Sequence, residues 1–214
     1  MDKESLLYYW DSVDAITQVV KKKTKTNKFG ENHAISFDQF KIGCDEVAVY
    51  NCKEETIVAI NGSDGDKEEW KGNFNGYPIT NGCHHNFYKD GIRILESVIR
   101  DCPKEKPITV VGHSRGGALA QIFALYAELV HGLEILCVTY GSPRVFTLLK
   151  TRSLDFYHVR VNTDGDPVCH IPPVWLPPFF KSYQTDNVRI RPKKILGVRM
   201  KHGCYGLMIE KYLK

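Results

Sequence analysis

The segment from residue 108 to residue 131 constrains this chain more than any other. Ile108-Thr109-Val110-Val111 is a short, continuous apolar run bounded by Pro107 and Gly112, the length and composition of a buried strand. Gly112-His113-Ser114-Arg115-Gly116 follows at once, and residues 117–131 are rich in Ala and Leu with a helical pattern. A Gly-x-Ser-x-Gly pattern alone arises by chance in roughly one chain in fifteen of this length. A strand before it and a helix after it give it meaning, because a sharp strand-to-helix turn lifts one serine above a sheet. Such a turn needs unusual backbone angles and close packing, and two glycines permit both. The helix N-terminus behind Ser114 offers N–H groups and a positive dipole end to a developing oxyanion. The bland alternative is a glycine-rich turn capped by a serine. His113 adjoins Ser114, but neighbours in such a turn point apart, so it reads as a packing residue.

The rest of the chain supplies a matching frame. Apolar runs recur at 135–139 and, more loosely, at 157–161. Strand, helix and strand in this order predict an α/β fold, a mostly parallel central sheet flanked by helices. Residues 4–21 have helical spacing, with Leu6, Leu7, Trp10, Val13, Ile16 and Val20 able to share a face. A polar, basic loop is expected over 21–28, and two strands over 46–50 and 56–60 around a polar turn. Residues 87–100 read as a helix with Gly91, Leu95, Val98 and Ile99 inward, ended by Pro103 and Pro107. No repeat or linker interrupts the pattern, and 214 residues fit one domain, 1–214.

Composition excludes several functions. Hydrophobic residues make up 43% and charged residues 25%, a globular balance that argues against disorder. A net charge of +4 is too weak to predict a nucleic-acid partner. No apolar run reaches the roughly 18 residues of a bilayer span. The first residues carry acids and a broken apolar pattern, unlike a secretory signal. Seven cysteines, an odd number at irregular spacing, read as free thiols in a reducing, cytoplasmic compartment. Cys83-His84-His85, Cys169-His170 and His202-x-Cys204 raise a Cys/His metal protein as an alternative. None has paired ligand spacing, so no metal and no organic cofactor is expected.

A serine hydroxyl becomes a nucleophile when a histidine takes its proton and an acid orients that histidine. On a strand–elbow–helix frame the order is Ser, acid, His. Asp166 and Asp164 both follow the 157–161 strand, and position alone favours neither. Only His170 and His202 follow Asp166. His170 would share the acid's own loop, whereas His202 sits in a late segment that can reach over the sheet.

These residues resemble the class 3 lipase family, the fungal-type triacylglycerol lipases of the α/β-hydrolase fold, from about Val47 to Tyr205. Residues 56–63, TIVAINGS, resemble its strand and oxyanion loop, with Asn61 where Arg is usual. Trp70 with Asn73-Phe74 resembles its Trp-x-x-Asp-Leu. His84-His85-Asn86-Phe87 resembles its His-x-Gly-Phe, with Asn86 in place of Gly. Residues 139–145, TYGSPRV, resemble its TFGSPRV, and 166–173, DPVCHIPP, resemble its Asp-x-Val-Pro-His-Leu-Pro-Pro. The last match selects Asp166 over Asp164. The resemblance implies Ser114 as nucleophile, Asp166 as acid and His202 as base, with the backbone N–H groups of Ser63 and Arg115 as oxyanion donors.

The resemblance also implies a lid, here residues 64–75, with five charged residues before Lys71 and one large aromatic, Trp70. That is a weakly apolar lid. Residues 171–180, IPPVWLPPFF, form an apolar, proline-stiffened loop, suited to acyl chains or to transient contact with a lipid surface; the alternative is a loop that covers the core. The expected activity is hydrolysis of lipid acyl esters. The alternatives are a carboxylesterase for short or polar esters and a catalytically inactive lipase-like binding protein. The basic run Arg189, Arg191, Lys193, Lys194, Arg199 and Lys201 reads as a solvated face of edge strands, with the holding of phospholipid headgroups as the alternative.

Overall fold

The computed structural model describes residues 1–62, 79–100, 102–103, 105–173, 179–192 and 202–213. Helix α1 (Lys3–Val20) starts at Asp2, whose carboxylate accepts the Ser5 N–H at 2.7 Å, a side-chain N-cap. Its buried face carries Leu6, Trp10, Val13 and Ile16, as the spacing predicts, while Leu7 and Val20 are half-buried. Loop 21–27 is followed by two elements the pattern did not announce, α2 (Lys28–His33) and β1 (Ala34–Ile42). β1 mixes exposed and half-buried residues of both kinds, with Ile35 open to solvent. Alternation is therefore too weak to signal a strand.

β2 (Asp45–Cys52) and β3 (Thr56–Ile60) form the expected antiparallel pair. After the short β4 (Ile79–Thr80) and β5 (Cys83–His84) come α3 (His85–Val98) and β6 (Ile108–His113). Next follow α4 (Arg115–His131), β7 (Ile135–Tyr140), β8 (Phe146–Thr147) and the single turn α5 (Leu148–Thr151). The described chain closes with β9 (His158–Thr163), a 3-10 turn (Val168–His170), β10 (Phe180–Lys181), β11 (Asp186–Ile190) and α6 (Tyr205–Tyr212).

The main sheet has seven strands in the order β1-β2-β3-β6-β7-β9-β11. From β3 onward every pairing is parallel, and β1 and β2 add an antiparallel edge. Side chains alternate across it into two cores. One core joins Val58, Ile60, Val110 and Cys137 to Phe87, Ile94 and Leu95 of α3 and to Leu119, Ile122 and Phe123 of α4. The other joins Ile57, Ala59, Val111, Val138, Val159 and Val161 to α1 and α6. Each fully buried Leu, Ile or Phe contributes about 1.5–3 kcal/mol, so the central strands and α4 hold the frame. α4 is buried on nearly every side from Arg115 to Leu125, as a helix apolar all round must be. The α/β expectation is therefore met. β11 is an edge strand, and Arg189 on it is exposed, as the basic run predicted. Residues 193–201 of that run lie outside the described residues.

Candidate active site

The strand-to-helix turn has the backbone it needs. Ser114 sits between β6 and α4 at φ +53° and ψ −124°, a region an L-residue occupies only under constraint. A Cβ on Gly112 would run into the Gly116 carbonyl, and one on Gly116 into the Ile60 carbonyl. The two glycines therefore let the turn fold back on the sheet. The Ser114 N–H donates to the Tyr140 carbonyl at 2.9 Å, tying the turn to β7.

Three chain-distant side chains meet there. The Ser114 hydroxyl donates to Nε2 of His202 at 2.8 Å. Nδ1–H of His202 donates to Oδ2 of Asp166 at 2.9 Å. Asp166 follows the C-terminal end of β9, and His202 precedes α6, which docks against α1. Ser114 and Asp166 are buried, and the His202 side chain is 16% exposed. Asp166 takes two further donors, the Tyr205 hydroxyl on Oδ2 at 2.8 Å and the Val168 N–H on Oδ1 at 3.0 Å. Burial pushes the Asp166 pKa up, but these donors and the His202 ring outweigh it and hold the carboxyl below its usual range.

The competing residues are elsewhere. Asp164 pairs with Arg189 and, at 3.9 Å, with Arg191 on the exposed edge of the sheet. His170 lies on the 3-10 turn with its ring beside Arg144. Arg115 is the first residue of α4. Ser63 and the lid span 64–75 lie outside the described residues, as do 174–178 of the apolar loop. Where the resemblance showed Asn61 for Arg, the Asn61 side-chain oxygen Oδ1 accepts from the Thr17 hydroxyl at 2.6 Å. That bond ties the β3 exit to α1.

Sequence reasoning missed the supports of this site. Tyr205, three residues after His202, was assigned no role. His113 is more than a packing residue. Its Nε2–H donates to the His202 carbonyl at 2.7 Å, and its ring lies 4.8 Å from the His202 ring and 5.3 Å from Trp10. Burial, helped by the His202 charge, pushes the His113 pKa from 6.5 down to about 3. Burial does the same to His158, also to about 3; its Nδ1–H donates to the Tyr183 carbonyl and its Nε2 accepts from Thr139.

These two rings set an acid limit. Both stay neutral in the folded chain while the unfolded chain binds protons below pH 6.5. Stability is therefore complete above pH 6.5 and falls as pH drops toward 3, by up to about 1.4 kcal/mol per pH unit for each histidine. Urea denaturation at pH 7, 6, 5 and 4 should show this slope, and His158→Gln should flatten it. A slope unchanged by that substitution would remove His158 from the account.

Arg115 was expected to matter through its backbone, but its side chain is buried in a charged network. Nε and Nη2 donate to both oxygens of Asp45 at 3.0 and 3.1 Å, and Nη2 donates to Asp90 at 2.7 Å. The guanidinium also lies 6.0 Å over the Phe87 ring. Burial alone would lower the Arg115 pKa, but the two carboxylates more than reverse that and keep it charged. This network pins the start of α4 to β2 and α3. Arg115→Met leaves Asp45 a buried, unpaired carboxylate and should destabilise the fold by about 3–5 kcal/mol. A urea midpoint shift worth less than about 1 kcal/mol would mean the network adds little.

Among the described residues, no three or more His, Cys, Asp or Glu side chains are grouped to hold a metal ion. No helix among them is long and apolar enough to cross a membrane.

A family model described as lipase (class 3) matches residues 57–175. The secreted mono- and diacylglycerol lipase 1 of Fusarium solani is 28% identical over 173 residues, covering 67% of this chain and 51% of that protein. The chain thus spans about half the length of this curated relative. The triacylglyceride lipase of Rhizomucor miehei superposes with a TM-score of 0.67 at 21% identity, over 87% of this chain and 79% of that one. A lipase from Rhizopus microsporus var. chinensis gives 0.68 at 17% identity, over 91% and 76%. These likenesses make the fold that of the α/β-hydrolase lipases.

Proposed function

The chain belongs to the class 3 lipase family, and on that premise we propose that it hydrolyses lipid acyl esters through an acyl-enzyme on Ser114. The observation that carries this reading is the relay from Ser114 through His202 to Asp166, at 2.8 and 2.9 Å. A neutral His202 accepts the Ser114 proton as Oγ attacks the ester carbonyl. Asp166 keeps the Nδ1–H tautomer in place and stabilises the imidazolium that forms. His202 then passes the proton to the leaving alcohol, and water attacks the acyl-enzyme with His202 again as base. The oxyanion is assigned to the backbone N–H groups of Arg115, at the positive end of the α4 dipole, and of Ser63. No step needs a metal or an organic cofactor.

The whole of 1–214 is proposed as one hydrolase domain, since both apolar cores line faces of the same sheet. A cytoplasmic location is proposed from seven cysteines that are all free, although the Fusarium relative is named as secreted. Alkylation under denaturing conditions immediately on cell lysis should find all seven as thiols, the five buried ones included. Transient contact with a lipid surface is assigned to the apolar loop, in which Phe179 is exposed and Phe180 buried.

A chain-length series of p-nitrophenyl esters, assayed below and above micelle formation, tests the substrate. Activity that rises with long acyl chains above that point is expected. Activity confined to short, soluble esters would replace the lipase with a carboxylesterase. Complete inertness would favour a lipase-like binding protein.

A further inference from the structure

A cavity of about 220 Å³ lies behind the loop that carries Asp166. Arg160 and Asn162 of β9 line it beside their register partners Asn187 and Arg189 of β11. Arg144 and Ser182 line it too. Arg160 is only 1% exposed. Its guanidinium donates to the carbonyls of Ser142, Pro143 at 3.4 Å and Cys169 at 3.3 Å. Arg144 donates to the carbonyls of His170 and, at 2.7 Å, Pro172, with the His170 ring at 3.4 Å. Carbonyls satisfy hydrogen bonds but do not neutralise charge. Among the described residues neither guanidinium has a carboxylate within 4 Å. A desolvated cation without a counter-ion, as Arg160 is, is strongly disfavoured, and Arg144 beside it is half-buried.

The two acids nearby are committed. Asp164 also lines the cavity but pairs with Arg189 and Arg191. Asp166 pulls on Arg160 through space, yet its oxygens hold His202, Tyr205 and the Val168 N–H. Burial lowers the pKa of Arg144, and the Arg160 charge lowers it further, so the two cations sense each other.

We propose that this cavity binds a small tetrahedral oxyanion of the phosphate class, held by Arg144 and Arg160. Guanidinium forks match phosphate oxygens in charge and geometry. Asn162, Asn187 and Ser182 make the walls polar, which suits a small hydrophilic anion and excludes an acyl tail. Gly165 and Cys169 also line the cavity, and they flank Asp166, so occupancy braces the acid's loop from behind. The anion's source is either free phosphate or the phosphate monoester headgroup of a lipid.

Thermal unfolding tests this on the whole chain, with potassium phosphate titrated at ionic strength held constant with potassium chloride. The wild type should show a saturable rise in Tm of about 2–5 °C. Lys181→Gln, outside the cavity, should keep that rise, and Arg144→Gln should lose it. Should Arg144→Gln fail to fold, Ser182→Glu decides. A carboxylate tethered in the cavity should raise Tm without phosphate and abolish the response to it. Vesicles separate the sources. Binding to phosphatidylcholine vesicles carrying phosphatidic acid but not phosphatidylserine, lost in Arg144→Gln, identifies a headgroup. A response to inorganic phosphate alone identifies the free anion. No phosphate-specific rise and no such vesicle binding, or a response unchanged in both cavity variants, overturns the site. The thermal readout does not depend on ester hydrolysis, so this test and that of the enzymatic reading fail separately.

Discussion

Ser114→Ala should lower kcat for a p-nitrophenyl ester about a million-fold, with the urea midpoint within about 0.5 kcal/mol of wild type. The size of the loss follows from the relay. His202 Nε2 lies 2.8 Å from the Ser114 oxygen, the atom whose proton it takes. Without the hydroxyl no acyl-enzyme forms, and only binding and the oxyanion donors remain. Stability should hold because the Ser114 hydroxyl packs no core, and the turn is held by the Ser114 N–H on Tyr140 and by the glycines at 112 and 116. Alanine at φ +53° is under the same constraint as serine. Residual turnover within a hundred-fold of wild type would mean that another nucleophile carries the reaction.

Asp166→Asn should lower kcat by about ten thousand-fold with a much smaller change in KM. The amide can present an NH2 to His202 in place of Oδ2. The ring then shifts its proton to Nε2 and can no longer accept from Ser114. The Tyr205 hydroxyl, which donates to the same oxygen, loses its acceptor too, and that strengthens the effect. Asp164→Asn is the matched control. It breaks only exposed pairs with Arg189 and Arg191, so kcat should stay within about threefold, as for surface changes generally. Reversed outcomes for the two asparagines would move the acid to Asp164.

The frame of this site was legible where periodicity is strong. Ile108–His113 and Arg115–His131 announced themselves because a buried parallel strand is continuously apolar and a central helix is apolar all round. β1 escaped because an edge strand with solvent on one side and a helix on part of the other keeps no clean alternation. Ser114 followed from its flanks. Asp166 and His202 did not follow from spacing alone. The contacts that hold them run between residues 36 and 88 positions apart, and local pattern carries no such information. The resemblance to a family chose Asp166 over Asp164, whereas His202 was favoured over His170 by its late position in the chain.

The supporting groups were harder still. His113 was set aside because its side chain points away from Ser114. That direction is what lets it grip the His202 carbonyl. The Arg115 side chain stood in a motif read only for its backbone, and its partners Asp45 and Asp90 lie 70 and 25 residues away. A buried arginine is rarely present without carboxylates. That rule could have prompted a search for them, though not their identity.

Intact-protein mass spectrometry after exposure to a fluorophosphonate probe tests the central claim most directly. Wild type should gain one adduct, mapped by proteolysis to the peptide containing Ser114. Ser114→Ala should gain none, and His202→Ala should label far more slowly. An adduct on another residue, or a folded wild type that stays unlabelled, would contradict the account.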